Sequence, residues 1–307
     1  MGSVVYVEGG SRLHAGFHIV DPQRGVWGGA GFYVEEPRVR VEAWDCGEAR
    51  WEVDSDIATL LERAGLAWGC LKIASRPPRH MGLGSTTQLS LAASMALLAL
   101  KGLRPSIPSL AARLGRGRFS AVGTLLAVHG GFVLDSGSVS TPPISAVRVP
   151  EDWRFVLVIP QLEPGFEEGR AEDLALKTAG LRAARGGDLR SRGALLLAVG
   201  IARGDLDIAL EGLSSMQAGT GLLFQEVQGA VFRRDLMNIV DEASRNGVKL
   251  AQSSWGPTLY TISHESTADS DARMLRAILR SHGIRGEVLV TRPRNKGLTL
   301  EVGMDGG

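Results

Sequence analysis

Cysteine is nearly absent from this 307-residue chain, and asparagine and lysine are scarce. The two cysteines, Cys46 and Cys70, exclude a disulfide framework and a four-cysteine zinc site, and are expected as small buried hydrophobes. There is no excess of either charge: 34 Lys and Arg face 33 Asp and Glu, for a net charge of +1. That balance leaves no electrostatic footprint for bulk nucleic-acid binding. No apolar run reaches the ~20 residues a bilayer needs; the longest lies around Leu89–Leu100 and stops at Lys101. No basic stretch precedes the first apolar residues, so no secretory signal is expected, and the default is a soluble cytoplasmic protein. Only five of the basic residues are lysine and only three residues are asparagine, a bias that points to a thermophile or to genome composition. Repeats and low-complexity tracts are also missing. What is present is 44% hydrophobic residues, enough for sizeable cores and incompatible with disorder. The length predicts about two domains.

Periodicity places the elements. Val4–Val7 and Val34–Trp44 read as strands, with the glycine-rich stretch Gly25–Gly31 between them. A helix is predicted over Asp56–Ala67, a strand over Cys70–Ala74, and a break at Pro77-Pro78. From Gly82 to Gly102 a helix is apolar nearly all round, which predicts a central, buried element. Short helices are predicted at Ser109–Leu114 and Ser120–Val128, then a strand at Phe132–Asp135. Prolines 142, 143 and 150 suggest a connection, and the apolar strand Trp153–Pro160 opens a second domain. Helices follow at Glu167–Arg185, Arg192–Arg203, Leu206–Met216 and Arg234–Asn246, then strand, helix, strand and strand from Lys249 to Val302. Mixed elements in each half predict an α+β fold divided at 1–150 and 151–307.

The most informative segment is Pro78-Arg79-His80-Met81-Gly82-Leu83-Gly84-Ser85-Thr86-Thr87. It follows a strand and opens the buried helix, so its free N–H groups, its glycines and the positive end of the helix dipole suit an anion. It lacks the GK[ST] of a P-loop and the spacing of a dinucleotide fingerprint. Left to local pattern alone, it is either an anion cradle or a plain helix cap. Pro78, Gly82, Leu83, Gly84 and Ser85 match the P-x-x-x-G-L-G-S-S motif of the GHMP superfamily of small-molecule kinases, which the chain resembles. The resemblance implies a ribosomal-protein-S5-domain-2-like N-terminal domain and a ferredoxin-like C-terminal domain. Three further segments, Ser11–Gly16 (SRLHAG), Gly115–Gly131 and Gln252–Pro257 (QSSWGP), resemble the β-ribofuranosylaminobenzene 5′-phosphate synthase branch, from archaeal methanopterin biosynthesis. Members of that branch condense phosphoribosyl pyrophosphate with 4-aminobenzoate or a close analogue, releasing CO2 and pyrophosphate.

Chemistry separates the branch from the kinases. Many GHMP kinases place an acid ahead of a Gly-Gly to orient or deprotonate the attacking hydroxyl. Here the matching position is Gly123, which cannot act as a base. A ribosyltransferase needs donors and Mg²⁺ around the departing pyrophosphate and a pocket for a flat ring. The alternatives are an ATP-dependent kinase and a non-catalytic ligand-binding protein on the same scaffold. Gly82, Leu83, Gly84, Ser85, Thr86 and Thr87 are the expected phosphate site, with Arg118, Arg116, Arg12 and Arg24 as candidate anion partners. Arg12 and His14 alternate along one strand and share a face, which makes them catalytic candidates; a structural histidine is the other reading of His14. Asp21 is a candidate for Mg²⁺ or acid–base work, or a turn residue before Pro22. Glu35-Glu36 is read as an edge-strand surface pair. Ser253, Ser254, Trp255 and Gly256 are expected to hold the aromatic acid, the indole stacking and the hydroxyls bonding the carboxylate, with a core tryptophan beside a tight turn as the other reading. Gly28–Gly31 either admits a ligand or forms a plain turn. The metal ligands stay open, no organic cofactor is expected, and a homodimer is one expected assembly.

Overall fold

The computed structural model describes residues 3–166 and 170–304. Two strands of 19 residues each, β1 (Ser3–Asp21) and β2 (Val26–Trp44), form a long antiparallel hairpin. Both outrun the sequence expectation, because all the glycines that suggested a loop except Gly25 lie within the ladder. Gly28, Gly29 and Gly31 make room for protein rather than ligand. A Cβ there would meet His18 and Ile19, the His14–Ser120 pair, and the Leu13 backbone with Val122, respectively.

After β3 (Arg50–Glu52) and α1 (Ser55–Arg63), strand β4 (Cys70–Ser75) pairs with the far half of β2. The buried helix α2 (Ser85–Leu100) follows, then α3 (Ile107–Arg113), α4 (Val122–His129), β5 (Phe132–Leu134) and β6 (Ser145–Val147). Strand β5 pairs with the near half of β2, so β4 and β5 share one edge of that strand. Helix α2 buries Leu89, Leu91, Ala92, Ala93, Ala96 and Leu97 against Val5, Val7, Val39 and Val41 of the hairpin, as its all-round apolar character predicts.

Cys46 and Cys70 are joined in a disulfide, against the expectation of two separate buried thiols. Trp44, the last residue of β2, lies opposite Cys70 in the β2–β4 ladder, and Cys46, two residues further on, comes within 5.7 Å of it between Cα atoms. Strand pairing, which spacing does not reveal, brings the sulfurs together.

The second half begins with β7 (Trp153–Pro160), buried along its whole length. Helices α5 (Arg170–Gly180), α6 (Gly187–Arg203), α7 (Leu206–Gln228) and α8 (Met237–Arg245) lead to β8 (Ala251–Gln252) and β9 (Leu259–His264). Helix α9 (Glu265–Ser281) and β10 (Gly286–Thr291) complete a four-stranded antiparallel sheet in the order β10-β7-β9-β8. Counting these strands from β7, the order is fourth, first, third, second, which is ferredoxin-like. The predicted α5 start at Glu167 lies outside the described residues. The last strand, β11 (Thr299–Met304), crosses back to pair with β1, so the first sheet contains a strand from beyond residue 150. The two sheets also share one core, in which Phe32 meets Phe132, Phe155 and Tyr260. Glu35 is not a free surface acid; its carboxylate accepts a 2.7 Å bond from the buried Arg294.

Candidate functional site

Between the two sheets lies a cleft with an outer groove of about 540 Å³ and an inner chamber of about 230 Å³. Arg12, Thr87, Arg116, Arg118, Glu172, Ser254 and Trp255 line both and form the rim between them.

The outer groove is built on the glycine loop. Gly84 adopts φ +70° at the N-cap of α2 and supplies no capping side chain, which leaves the first-turn N–H groups of Ser85, Thr86 and Thr87 facing the groove. Arg12 lies against this loop. Its main-chain N–H donates to Leu83 O at 2.9 Å and its guanidinium to Gly82 O at 3.1 Å. Arg118 reaches Asp173 of α5 at 3.6 Å. Arg24 is not brought to the cleft: it sits in the β1–β2 turn, and its main-chain N–H and guanidinium face Asp21. Asp21, the last residue of β1, flanks that turn and lines neither hollow.

The QSSWGP loop between β8 and β9 divides its roles differently from the sequence expectation. Ser253 is fully buried; its hydroxyl donates to Gly82 O at 2.6 Å and accepts from the His14 N–H at 3.0 Å. It clamps the glycine loop to β1 and is not available to a substrate carboxylate. Ser254, with φ +56°, does line both hollows. The Trp255 indole N–H donates to Glu172 at 3.0 Å, and its ring meets Phe224 edge-on at 4.7 Å and Phe166 at 5.0 Å. Gly256 borders the outer groove.

The inner chamber has an aromatic wall of Phe17, Phe119, Phe224 and Trp255. Phe17 was missed for a definite reason. Strand alternation puts residues 14 and 17 on opposite faces, but a register shift between His14 and Gly16 restores them to one. Phe119 and Phe224 lie far apart in the chain and carry no local signal.

Beside that wall is a buried polar chain that joins His14, an expected catalytic candidate, to Ser120 and Asp135, which sequence reasoning missed. His14 Nδ1 accepts from the Gly16 N–H at 3.1 Å, which leaves the proton on Nε2, 3.3 Å from the Ser120 hydroxyl. Ser120 donates to Asp135 Oδ2 at 3.1 Å. Asp135 is fully buried and also accepts from the N–H groups of Ala121 and Gly137. Burial, helped by the Arg12 charge, pushes the His14 pKa down to about 3, so the ring is neutral. Burial raises the Asp135 pKa against the pull of its N–H donors.

No group of three or more His, Cys, Asp or Glu residues placed to hold a metal occurs among the described residues. Glu172 and Asp173 are the carboxylates lining the chamber, and they face Trp255 and Arg118 respectively. No helix among the described residues is long and apolar enough to cross a membrane.

Comparison with known proteins agrees with this arrangement. The family pattern described as GHMP kinases C terminal matches residues 197–281. The chain is 30% identical to a β-ribofuranosylphenol 5′-phosphate synthase of Archaeoglobus fulgidus, over 95% of this chain and 98% of that one. It is 28% identical to the protein of the same name from Methanothermobacter thermautotrophicus, over 94% and 95%. In three dimensions it resembles a homoserine kinase from Cytophaga hutchinsonii, with a TM-score of 0.70, 18% identity and 97% of both chains covered. It also resembles the mevalonate diphosphate decarboxylase of Staphylococcus aureus, with a TM-score of 0.66, 14% identity and 98% of both chains covered.

Proposed function

This chain belongs to the β-ribofuranosylphenol 5′-phosphate synthase family, and from that membership and its cleft we propose a decarboxylating ribosyltransferase of methanopterin-type pterin biosynthesis. It joins phosphoribosyl pyrophosphate to an aromatic acid through a carbon–carbon bond and releases CO2 and pyrophosphate. The observation that carries the reading is an anion cradle meeting an aromatic-walled chamber at a shared rim. The relatives' name contains a phenol, so the 4-hydroxy analogue of 4-aminobenzoate is the favoured acid.

The pyrophosphate end of the donor binds at the first turn of α2, against Arg12, Arg116 and Arg118. Mg²⁺ enters with that pyrophosphate as part of the substrate, since such ions are usually held by one or two carboxylates together with substrate phosphates, and Asp56, Glu172 and Asp173 are the carboxylates that line the cleft. The anomeric carbon then lies at the rim. As the bond to pyrophosphate breaks, its electron pair leaves with the phosphates, and the helix dipole and guanidinium groups stabilise that charge where it develops. The ring of the acid lies among Phe17, Phe119, Phe224 and Trp255, its carboxylate near Ser254. Its carboxylated carbon attacks, and loss of CO2 returns the electron pair to the ring.

Kinase chemistry fits poorly. Gly123 lines the chamber without a side chain, so no carboxylate stands there to orient or deprotonate an attacking hydroxyl, and a Cβ added to it would press on Thr87 Cγ2 at 3.3 Å. The test is incubation with phosphoribosyl pyrophosphate, Mg²⁺ and carboxyl-labelled 4-hydroxybenzoate. Labelled CO2 is expected. Its absence, together with ATP-dependent phosphorylation of a small alcohol, would overturn the reading.

A further inference from the structure

Ser120 is the point where the inner chamber meets buried charge. It lines the chamber with His14, while Asp135 behind it is fully buried and lines neither hollow. Gly29 gives the pair its space: a Cβ there would lie 3.0 Å from both His14 Nε2 and Ser120 Oγ. The direction of each proton follows from the partners. Gly16 N–H occupies His14 Nδ1, so Nε2–H points to Ser120, and the Ser120 proton points to Asp135. Ser120 Oγ receives His14 and the Val122 N–H at 3.3 Å each, both at the long end for a hydrogen bond. A ligand hydroxyl at about 2.7 Å is the stronger donor and displaces one of them.

We propose that Ser120 and Asp135 form a proton relay that takes the ring hydroxyl proton of a phenolic substrate, and so favours a 4-hydroxy over a 4-amino aromatic acid. The inference rests on the ribosyltransferase reading above and adds to it the group that handles the ring substituent. The need is chemical. An amine pushes electrons into the ring without losing a proton, whereas a neutral phenol that attacks becomes a strongly acidic oxonium. In the relay, the phenol O–H bond breaks and its proton passes to Ser120 Oγ. The Ser120 proton passes to the Asp135 carboxylate. The phenolate electron pair drives formation of the bond from the ring carbon to the anomeric carbon, and pyrophosphate leaves with the electron pair of the broken C–O bond. Loss of CO2 regenerates the phenolate, which takes the proton back, so atoms and charge balance. Ser120 is the catalytic residue and Asp135 a positioning residue that acts through it. His18 is the titratable neighbour on the other side: its Nε2 donates to the Asp135 main-chain oxygen at 2.7 Å, and Arg190 acts in turn on His18.

The test uses full-length Ser120→Ala and Asp135→Asn, with 4-hydroxybenzoate and 4-aminobenzoate as alternative acids. For the hydroxy acid, kcat should fall about a hundredfold or more in each variant, the low end of what a positioned base supplies. KM for phosphoribosyl pyrophosphate should hold, and kcat for 4-aminobenzoate should change by less than about threefold, well below that range. Wild-type kcat on the hydroxy acid should fall at acid pH as Asp135 takes up a proton, and Ser120→Ala should lack that limb. Should Asp135→Asn fail to fold, Ser120→Ala and its pH profile decide alone. Equal losses on both acids, or none on either, would overturn the relay while leaving the ribosyltransferase standing. Failure of the wild type to release CO2 from either acid would overturn both.

Discussion

Ser253 shows how one side chain differs from its sequence reading. Two adjacent serines before a tryptophan read as a pair of anion ligands, yet past the end of β8 the chain turns at Ser254, with φ +56°, so that Ser253 bonds Gly82 O and the His14 N–H while Ser254 lines the cleft. Ser253→Ala should therefore weaken pyrophosphate binding, by freeing the glycine loop, and leave the aromatic acid's KM nearly unchanged. Leaving buried partners unsatisfied costs about 1–3 kcal/mol, which a denaturant melt should register. Separate titrations of the two substrates check the division; loss confined to the aromatic acid would restore the original assignment. His14 carries a second prediction. Its folded pKa of about 3 lies below the ordinary 6.5, so the unfolded chain binds a proton that the folded chain refuses. Stability linked to this group is fully present above about pH 6.5 and is lost as pH falls toward 3, by a few kcal/mol at most. Urea midpoints from pH 7 to 4 should fall less steeply in His14→Asn than in wild type. His18, whose pKa burial also lowers, adds the same trend in both proteins and cancels in the comparison.

Elements differ in how readable they were. Helix α2 was legible because its apolar surface is continuous and its start is marked by Gly84-Ser85, and β7 was legible as an unbroken apolar run. The hairpin was not. Gly9, Gly10, Gly16 and the run Gly28–Gly31 interrupt the alternation of β1 and β2, since they accommodate bulges and neighbouring side chains rather than turns. The same blindness hid the Cys46–Cys70 link, which depends on β2–β4 pairing. Closing a segment with a sequence separation of 24 removes unfolded-chain entropy worth about 3 kcal/mol in the chain-entropy account. Cys46→Ser should lower the stability of oxidised protein by about that amount. After reduction, wild type and variant should melt together. A difference that survives reduction would place the effect in folded-state packing instead.

At the scale of the whole molecule, the cleft is an interface between two sheets, and this decided what the sequence could disclose. The glycine loop and QSSWGP are contiguous and were readable as motifs. The chamber wall takes Phe17 from β1, Phe119 from the loop before α4, Phe224 from α7 and Trp255 from the β8–β9 loop, and no local pattern links them. These two kinds of surface should separate functionally. Trp255 lies on the shared rim, so its removal disturbs both hollows. Phe224 lines the inner chamber alone and also packs beside Trp27 and Leu176. Truncating a buried Phe to Ala costs about 3–5 kcal/mol, so Phe224→Leu is the better probe because it keeps most of the packing. An edge-on aromatic contact is worth about 0.5–1.5 kcal/mol beyond burial, so KM for the aromatic acid should rise about three- to tenfold. KM for phosphoribosyl pyrophosphate should stay within about twofold, because the anion cradle of α2 lies across the rim. Steady-state titration of each substrate at saturating levels of the other checks this. A rise confined to phosphoribosyl pyrophosphate would mean that the donor's ribose occupies the aromatic chamber and the acid the outer groove.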